Sequence, residues 1–134
     1  MAKPARLTRG QARLLASIPG AWMPIMSGRD DERITEGLLR LELATANHYP
    51  AEKGKAWSLV PTLLGRALGC LLHRRTGGKL TRFGVQNLAK YRAQLLETFD
   101  IEGSVANLLT ERNALAKKQF ERAMREERKR RARG

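Results

Sequence analysis

Cysteine occurs once in this sequence, as Cys70, so no internal disulfide framework can hold the fold together. It sits among Leu68, Leu71 and Leu72 and reads as a small buried hydrophobe. Histidine is nearly as scarce, with only His48 and His73, and one Cys with two His cannot build a zinc site of the usual spacing. There is no Gly-rich phosphate cradle ending in Lys-Ser or Lys-Thr, and no nucleophile elbow. These absences point away from an enzyme and away from a metal or organic cofactor. No apolar run reaches the roughly 18 residues of a membrane span. The longest apolar region, Leu59 to Leu72, is interrupted by Pro61, Thr62, Gly65 and Arg66. A membrane partner is therefore not expected. Aromatic residues make up 5% of the chain, so Leu and Ala must fill the core.

What is abundant is positive charge. Lys and Arg number 26 against 13 acids, a net charge of +13 over 134 residues. Of those bases 18 are Arg, whose planar fork suits two-point contacts with phosphate and guanine. A surface with that imbalance attracts polyanions, nucleic acid above all. The chain is 42% hydrophobic and rich in Ala, Leu, Arg, Lys, Gln and Glu, all good helix formers. The fold class expected is mainly α: a small domain of about four helices, with room for a short β wing, and a long basic C-terminal helix. Residues 1–29 carry Lys3, Arg6, Arg9, Arg13 and Arg29 and no acid, the pattern of an organelle transit segment. That is the alternative to a cytoplasmic protein of a bacterial or phage-infected cell.

Punctuation along the chain places the elements. Thr8-Arg9-Gly10-Gln11 has capping-box spacing and predicts a helix over 9–18, with Leu14, Leu15 and Ile18 inward, stopped by Pro19-Gly20. Trp22 to Gly28 reads as a connector with at most one helical turn. Asp30 and Asp31 open a second helix over 30–43, with Ile34, Leu38, Leu39 and Leu41 on one face. Residues 44–56 read as a short strand or an ordered loop, with a turn at Glu52-Lys53-Gly54-Lys55. Ser58 predicts a third helix over 59–73 packing Leu59, Leu63, Leu64, Leu68, Leu71 and Leu72, and Gly65 and Gly69 would admit a close neighbour. Thr81 predicts a fourth over 82–99, with Val85, Leu88, Tyr91, Leu95 and Phe99 as its buried stripe. After an interruption at Gly103, a last helix runs over 105–131.

The charge is unevenly spread. Five acids fall within 30–42, whereas residues 53–96 hold nine bases and no carboxylate at all. On the fourth helix Arg82, Gln86 and Lys90 share one side, with Asn87 beside them, opposite Leu88 and Leu95. Arg, Asn or Gln, and Lys are the side chains that read guanine edges, adenine edges and phosphates respectively. Arg66, Arg74, Arg75 and Lys79 lie in the same acid-free stretch, and the tail adds Arg128, Lys129, Arg130 and Arg131. Within 111–133 there are ten bases and four acids, with Glu121–Arg125 and Glu126–Arg130 spaced as i,i+4 pairs. The last helix also carries an apolar stripe, Val105, Leu108, Leu109, Leu115 and Phe120, fit for a protein partner or a second copy.

Residues 7–97 resemble a winged helix-turn-helix DNA-binding domain. The resemblance rests on the Leu7-Thr8-x-x-Gln11 opening, a short second element, the helix at 30–43, and Lys79-Leu80-Thr81-Arg82-Phe83-Gly84. In such domains a Leu-Thr-x-x-Gly segment leaves the wing and starts the next helix. Two features depart from the pattern: the groove-entering helix 30–43 is acidic, and a wing spanning 44–79 would be long and contain an apolar helix. The basic pair 59–73 and 82–99 is then the expected contact surface. The resemblance implies a DNA-binding accessory or regulatory protein, of the kind used in transcription regulation by bacteria, phages or plasmids. Residues 1–100 would be the nucleic-acid-binding domain and 101–134 a basic helix or tail. DNA is favoured over RNA because aromatics able to stack single-stranded bases are few, Tyr49, Trp57 and Tyr91 at most. The alternative is a helical interaction protein that docks on an acidic partner or a large assembly through its last helix. Truncation after about residue 104 would separate the two.

Overall fold

A computed structural model gives the fold, with residues 3–17, 25–26, 29–51 and 54–134 described. The architecture is mainly α. Along the chain run α1 (Arg9–Ser17), β1 (Ile25–Met26), α2 (Arg29–Arg40), β2 (Ala44–Ala51), β3 (Gly54–Pro61), α3 (Leu63–Arg75), α4 (Arg82–Thr98) and α5 (Ile101–Arg133). The expected Ile18 and most of the Trp22–Gly28 connector lie outside the described residues; within the connector, Ile25 and Met26 are strand and not helix.

One device starts four of the helices. At α1 it is the reciprocal box the sequence predicts: Gln11 N–H donates to Thr8 Oγ1 (3.2 Å) and Thr8 N–H to Gln11 Oε1 (3.0 Å). At α3, α4 and α5 the cap residue accepts from a glycine three positions on: Gly65 N–H to Thr62, Gly84 N–H to Thr81, Gly103 N–H to Asp100. Gly103 therefore lies in the first turn of α5 and does not interrupt it.

Residues 44–61 form a hairpin, β2 pairing antiparallel with β3 from Ala44–Pro61 to Ala51–Gly54, while β1 pairs the other edge of β3, giving the order β1-β3-β2. This corrects the expected third helix, which starts at Leu63 and not at 59, and is capped by Thr62 and not by Ser58. The reason is Pro61: its ring disfavours helical backbone at Val60, so the chain stays extended up to it. Leu59 belongs to β3, and its side chain, like those of Tyr49 and Trp57, lies outside the described ones.

Leucine and alanine make up most of the core. Leu7, Leu15, Leu38, Leu43, Leu68, Leu72, Leu95 and Leu108 are each fully buried, with Phe99 and Ile101 beside them. Leu63 and Val85, expected inside, are exposed. Leu63 occupies the first turn of α3, at the rim, and Val85 lies off the Gly84–Leu88–Leu95 line that packs inward. The approach of α3 is close enough to exclude side chains. A Cβ on Gly65 would collide with the carbonyl oxygen of Leu43, and one on Gly69 with that of Leu15 in α1. α2 ends in a Schellman turn: Leu43 N–H donates to Leu38 O (2.9 Å) and Glu42 N–H to Leu39 O (3.1 Å). Glu42 takes the left-handed position there, with φ of 60°.

The N-terminal segment ties the start of α5 to this body. Ala5 bridges in parallel to Phe99, Leu7 N–H donates to Ser104 Oγ (3.0 Å) and Asn107 Nδ2 donates to Leu7 O (2.8 Å). Ile101, Ser104 and Leu108 are buried, so the first turns of α5 belong to the body and a division at residue 100 falls inside it. From residue 109 onward no side chain is buried. With about 1.5 Å rise per residue, roughly 35 Å of helix stands beyond the core. Among the described residues no helix is long and apolar enough to cross a membrane.

Candidate nucleic-acid interface

The acid-free stretch folds into an antiparallel helical pair. Asn87 Nδ2 donates to Leu63 O (2.9 Å), and further along Cys70 Sγ lies against Gly84, so α4 runs back along α3. On α3, Arg66 and Arg74 flank Cys70 at i−4 and i+4 on one helical line. Both guanidiniums are near enough to pull the Cys70 thiol pKa down, yet burial outweighs them and pushes it up, so the thiol stays protonated and apolar. On α4, Arg82, Gln86 and Lys90 form a matching exposed line. Eight residues separate Arg66 from Arg74 and Arg82 from Lys90, about 12 Å in each helix. Lys79, in the turn between the helices, closes one end.

No described carboxylate pairs with Arg66, Arg74, Lys79, Arg82 or Lys90, and all five are exposed. Lys90 Nζ sits 5.7 Å from the Tyr91 ring centroid, a contact that leaves its charge available. Two expected members leave the exposed face. Arg75 is ion-paired with Glu102 of α5, which directs it to the α3–α5 side. Asn87 is 7% exposed and bonded to α3, because it stands three residues after Gly84 and eight before Leu95 and so shares their inward face. The Lys79–Gly84 segment leaves the α3–α4 turn; the hairpin exits through Thr62-Leu63-Leu64-Gly65 instead.

Phe83, outside the expected buried stripe of α4 and given no binding role by its sequence, is 60% exposed on this cationic face. Its signal was available: Phe83 lies off the Leu88–Leu95 stripe yet is the largest apolar residue in the first turn of α4. It borders a cleft of about 110 Å³ between the helices, shared with Arg66, Leu80, Thr81 and Asn87.

The tail extends the positive surface. Arg128, Lys129 and Arg130 are exposed and unpaired, while Arg131 donates to Glu127 (3.2 Å), an i,i+4 pair in place of the expected Glu121–Arg125 and Glu126–Arg130 pairs. The expected partner stripe divides. Leu108 is fully buried and Val105 packs against the core, since both face α1; Leu109 and Phe120 are exposed, Leu115 partly so.

Comparison with known proteins finds no matching family model, curated protein or solved structure for this chain.

Proposed function

We propose that this protein binds double-stranded DNA through the α3–α4 face, as a non-catalytic accessory or regulatory protein, with the exposed end of α5 adding contacts to phosphates. The observation that carries the reading is the group of five exposed cations, Arg66, Arg74, Lys79, Arg82 and Lys90, with no described carboxylate paired to any of them. An unneutralised cluster of this kind releases counterions when phosphates replace them. Gln86, exposed on the line between Arg82 and Lys90, is an amide able to read a base edge. The order α1, α2, then the β2–β3 hairpin is what supports a winged helix-turn-helix reading of the N-terminal part. The test is an anisotropy titration of labelled duplex DNA, single-stranded DNA and RNA at two salt concentrations. Tight, salt-dependent duplex binding is expected, and absence of binding to all three rejects the reading.

A second reading rests on a separate observation. Phe120 is 66% exposed, and Met124, one turn on, is exposed with it, on a helix otherwise covered in charge. These two with Leu109 form a stripe that an acidic helical partner would cover, the surrounding bases supplying complementary charge. Truncation after Arg112 tests it, because that cut keeps Leu108 in the core and the Arg9–Glu111 pair (3.0 Å). A cut at 104 would remove Leu108. Loss of protein binding with DNA affinity retained favours the second reading.

A further inference from the structure

We propose that the cleft between α3 and α4 is a subsite for one unpaired nucleobase stacked on Phe83, so that DNA with unpaired bases is held more tightly than perfect duplex. The inference rests on the nucleic-acid reading above and adds a base-recognising element to a face otherwise suited to phosphates. Phe83 exposes 60% of its surface next to Arg82, within a stretch of sequence, 53–96, that holds no carboxylate. A large apolar ring left open to water amid free cations suits a ligand that is itself a flat π-system strung between negative charges. Nucleobases in a single strand have that chemistry, and aromatic platforms with basic surroundings hold them.

The cleft beside the ring supplies the rest. Cys70 and Leu80 give it an apolar floor, and Arg66 stands free at its rim. Asn87 lines it too, almost entirely buried, with one amide N–H committed to Leu63 O at 2.9 Å. Its carbonyl oxygen and second N–H have no partner among the described residues, an adjacent acceptor and donor of the kind that pairs with adenine. The volume, about 110 Å³, is several times the roughly 10–15 Å³ that holds a single water, enough to admit the edge of a base.

Full-length protein would be titrated by anisotropy against a labelled perfect duplex and against the same duplex carrying a three-nucleotide single-stranded gap. Wild type, Phe83→Ala and Phe83→Tyr would be compared at one salt concentration. The expected result is a preference of wild type for the gapped DNA by about 5- to 150-fold, the range one stacked base gives. Phe83→Ala should lose that preference with duplex affinity unchanged, and Phe83→Tyr should keep it. Equal binding of the two DNAs by wild type, or an alanine variant that keeps the preference or weakens both alike, overturns the subsite while duplex binding stands. Failure of wild type to bind any DNA removes the nucleic-acid reading itself. The exposed position of Phe83 makes unfolding of the variants a minor concern, and circular dichroism checks it directly.

Discussion

If the proposed reading holds, neutralising the α3–α4 face should change how binding depends on salt, by an amount that follows from the number of free cations. Each phosphate engaged by a cation contributes about 0.9 to the slope of log affinity against log salt on duplex DNA. The five free cations therefore set a slope of about −4.5, and the affinity should fall roughly 500-fold between 50 and 200 mM salt. Contacts from Arg128 to Arg130 would steepen it further. The double variant Arg82→Ala/Lys90→Ala removes two exposed side chains on one outer line of α4, neither ion-paired nor in the core. Its slope should be shallower than wild type by about 1.8. Arg75→Ala is the internal control, since Arg75 is engaged with Glu102 and should contribute little. Anisotropy titrations at four or five salt concentrations read all three slopes. If the double variant stays within about 0.5 of wild type, or Arg75→Ala shifts the slope as much as one α4 cation does, the assignment of the face is wrong.

The remaining predictions concern the scaffold. Gly69→Ala should destabilise the fold by about 1–3 kcal/mol, because the new methyl meets the backbone carbonyl of Leu15, which has no rotamer to escape through; thermal or urea unfolding measures it. Glu42→Gly should stabilise by about 0.5–1 kcal/mol, relieving the left-handed backbone at φ 60° against the extra chain entropy of glycine, and an unchanged or lowered Tm counts against this. Asp100 has its pKa held below the ordinary value by the Gly103 N–H and by the Arg6 guanidinium (2.8 Å). A depressed folded value means the stabilising effect is present above the ordinary carboxylate range and is lost as pH falls through the lowered one. The stabilities of wild type and Asp100→Ala should therefore differ at neutral pH and converge as pH falls below the ordinary carboxylate range, as followed by circular dichroism.

The helices were legible where local chemistry decides them. Thr8, Thr81 and the acid-free run to Lys90 are read directly from residue types and spacing, and α1 and α4 fall within a residue of expectation. The start of α3 differs from expectation because a leucine-rich run looks helical whichever way its backbone lies; Pro61 was the deciding residue, and a strand or loop over 44–56 with a turn at 52–55 left open that 54–61 pairs back on 44–51. The outward line Arg82–Gln86–Lys90 follows from periodicity alone. The fate of Asn87 does not, because it sits at the edge of the polar arc, where the position of α3 determines whether it is covered. The pairing of Arg75 with Glu102 joins residues 27 apart in sequence and depends on how α5 docks. Phe83 was visible in the sequence but became informative only once its exposure was known.

The placement of the carboxylates completes the case. Three ion pairs join different elements of the described structure: Arg6 with Asp100, Arg9 with Glu111, and Arg75 with Glu102. In each the acid belongs to the first turns of α5 or to its cap, so the carboxylates near the body dock the long helix onto it. Surface pairs of this sort stabilise by about 0.2–1 kcal/mol each at most. The same modest gain was open to the α3–α4 face, where one or two glutamates at exposed positions such as Ala89 or Ala93 would reduce repulsion among the cations. The chain carries alanine there, and none of the described ion pairs involves Arg66, Arg74, Lys79, Arg82 or Lys90. On the reading proposed above, the charges that neutralise this face come from another molecule, and the salt slopes of wild type and the Arg82→Ala/Lys90→Ala variant decide it.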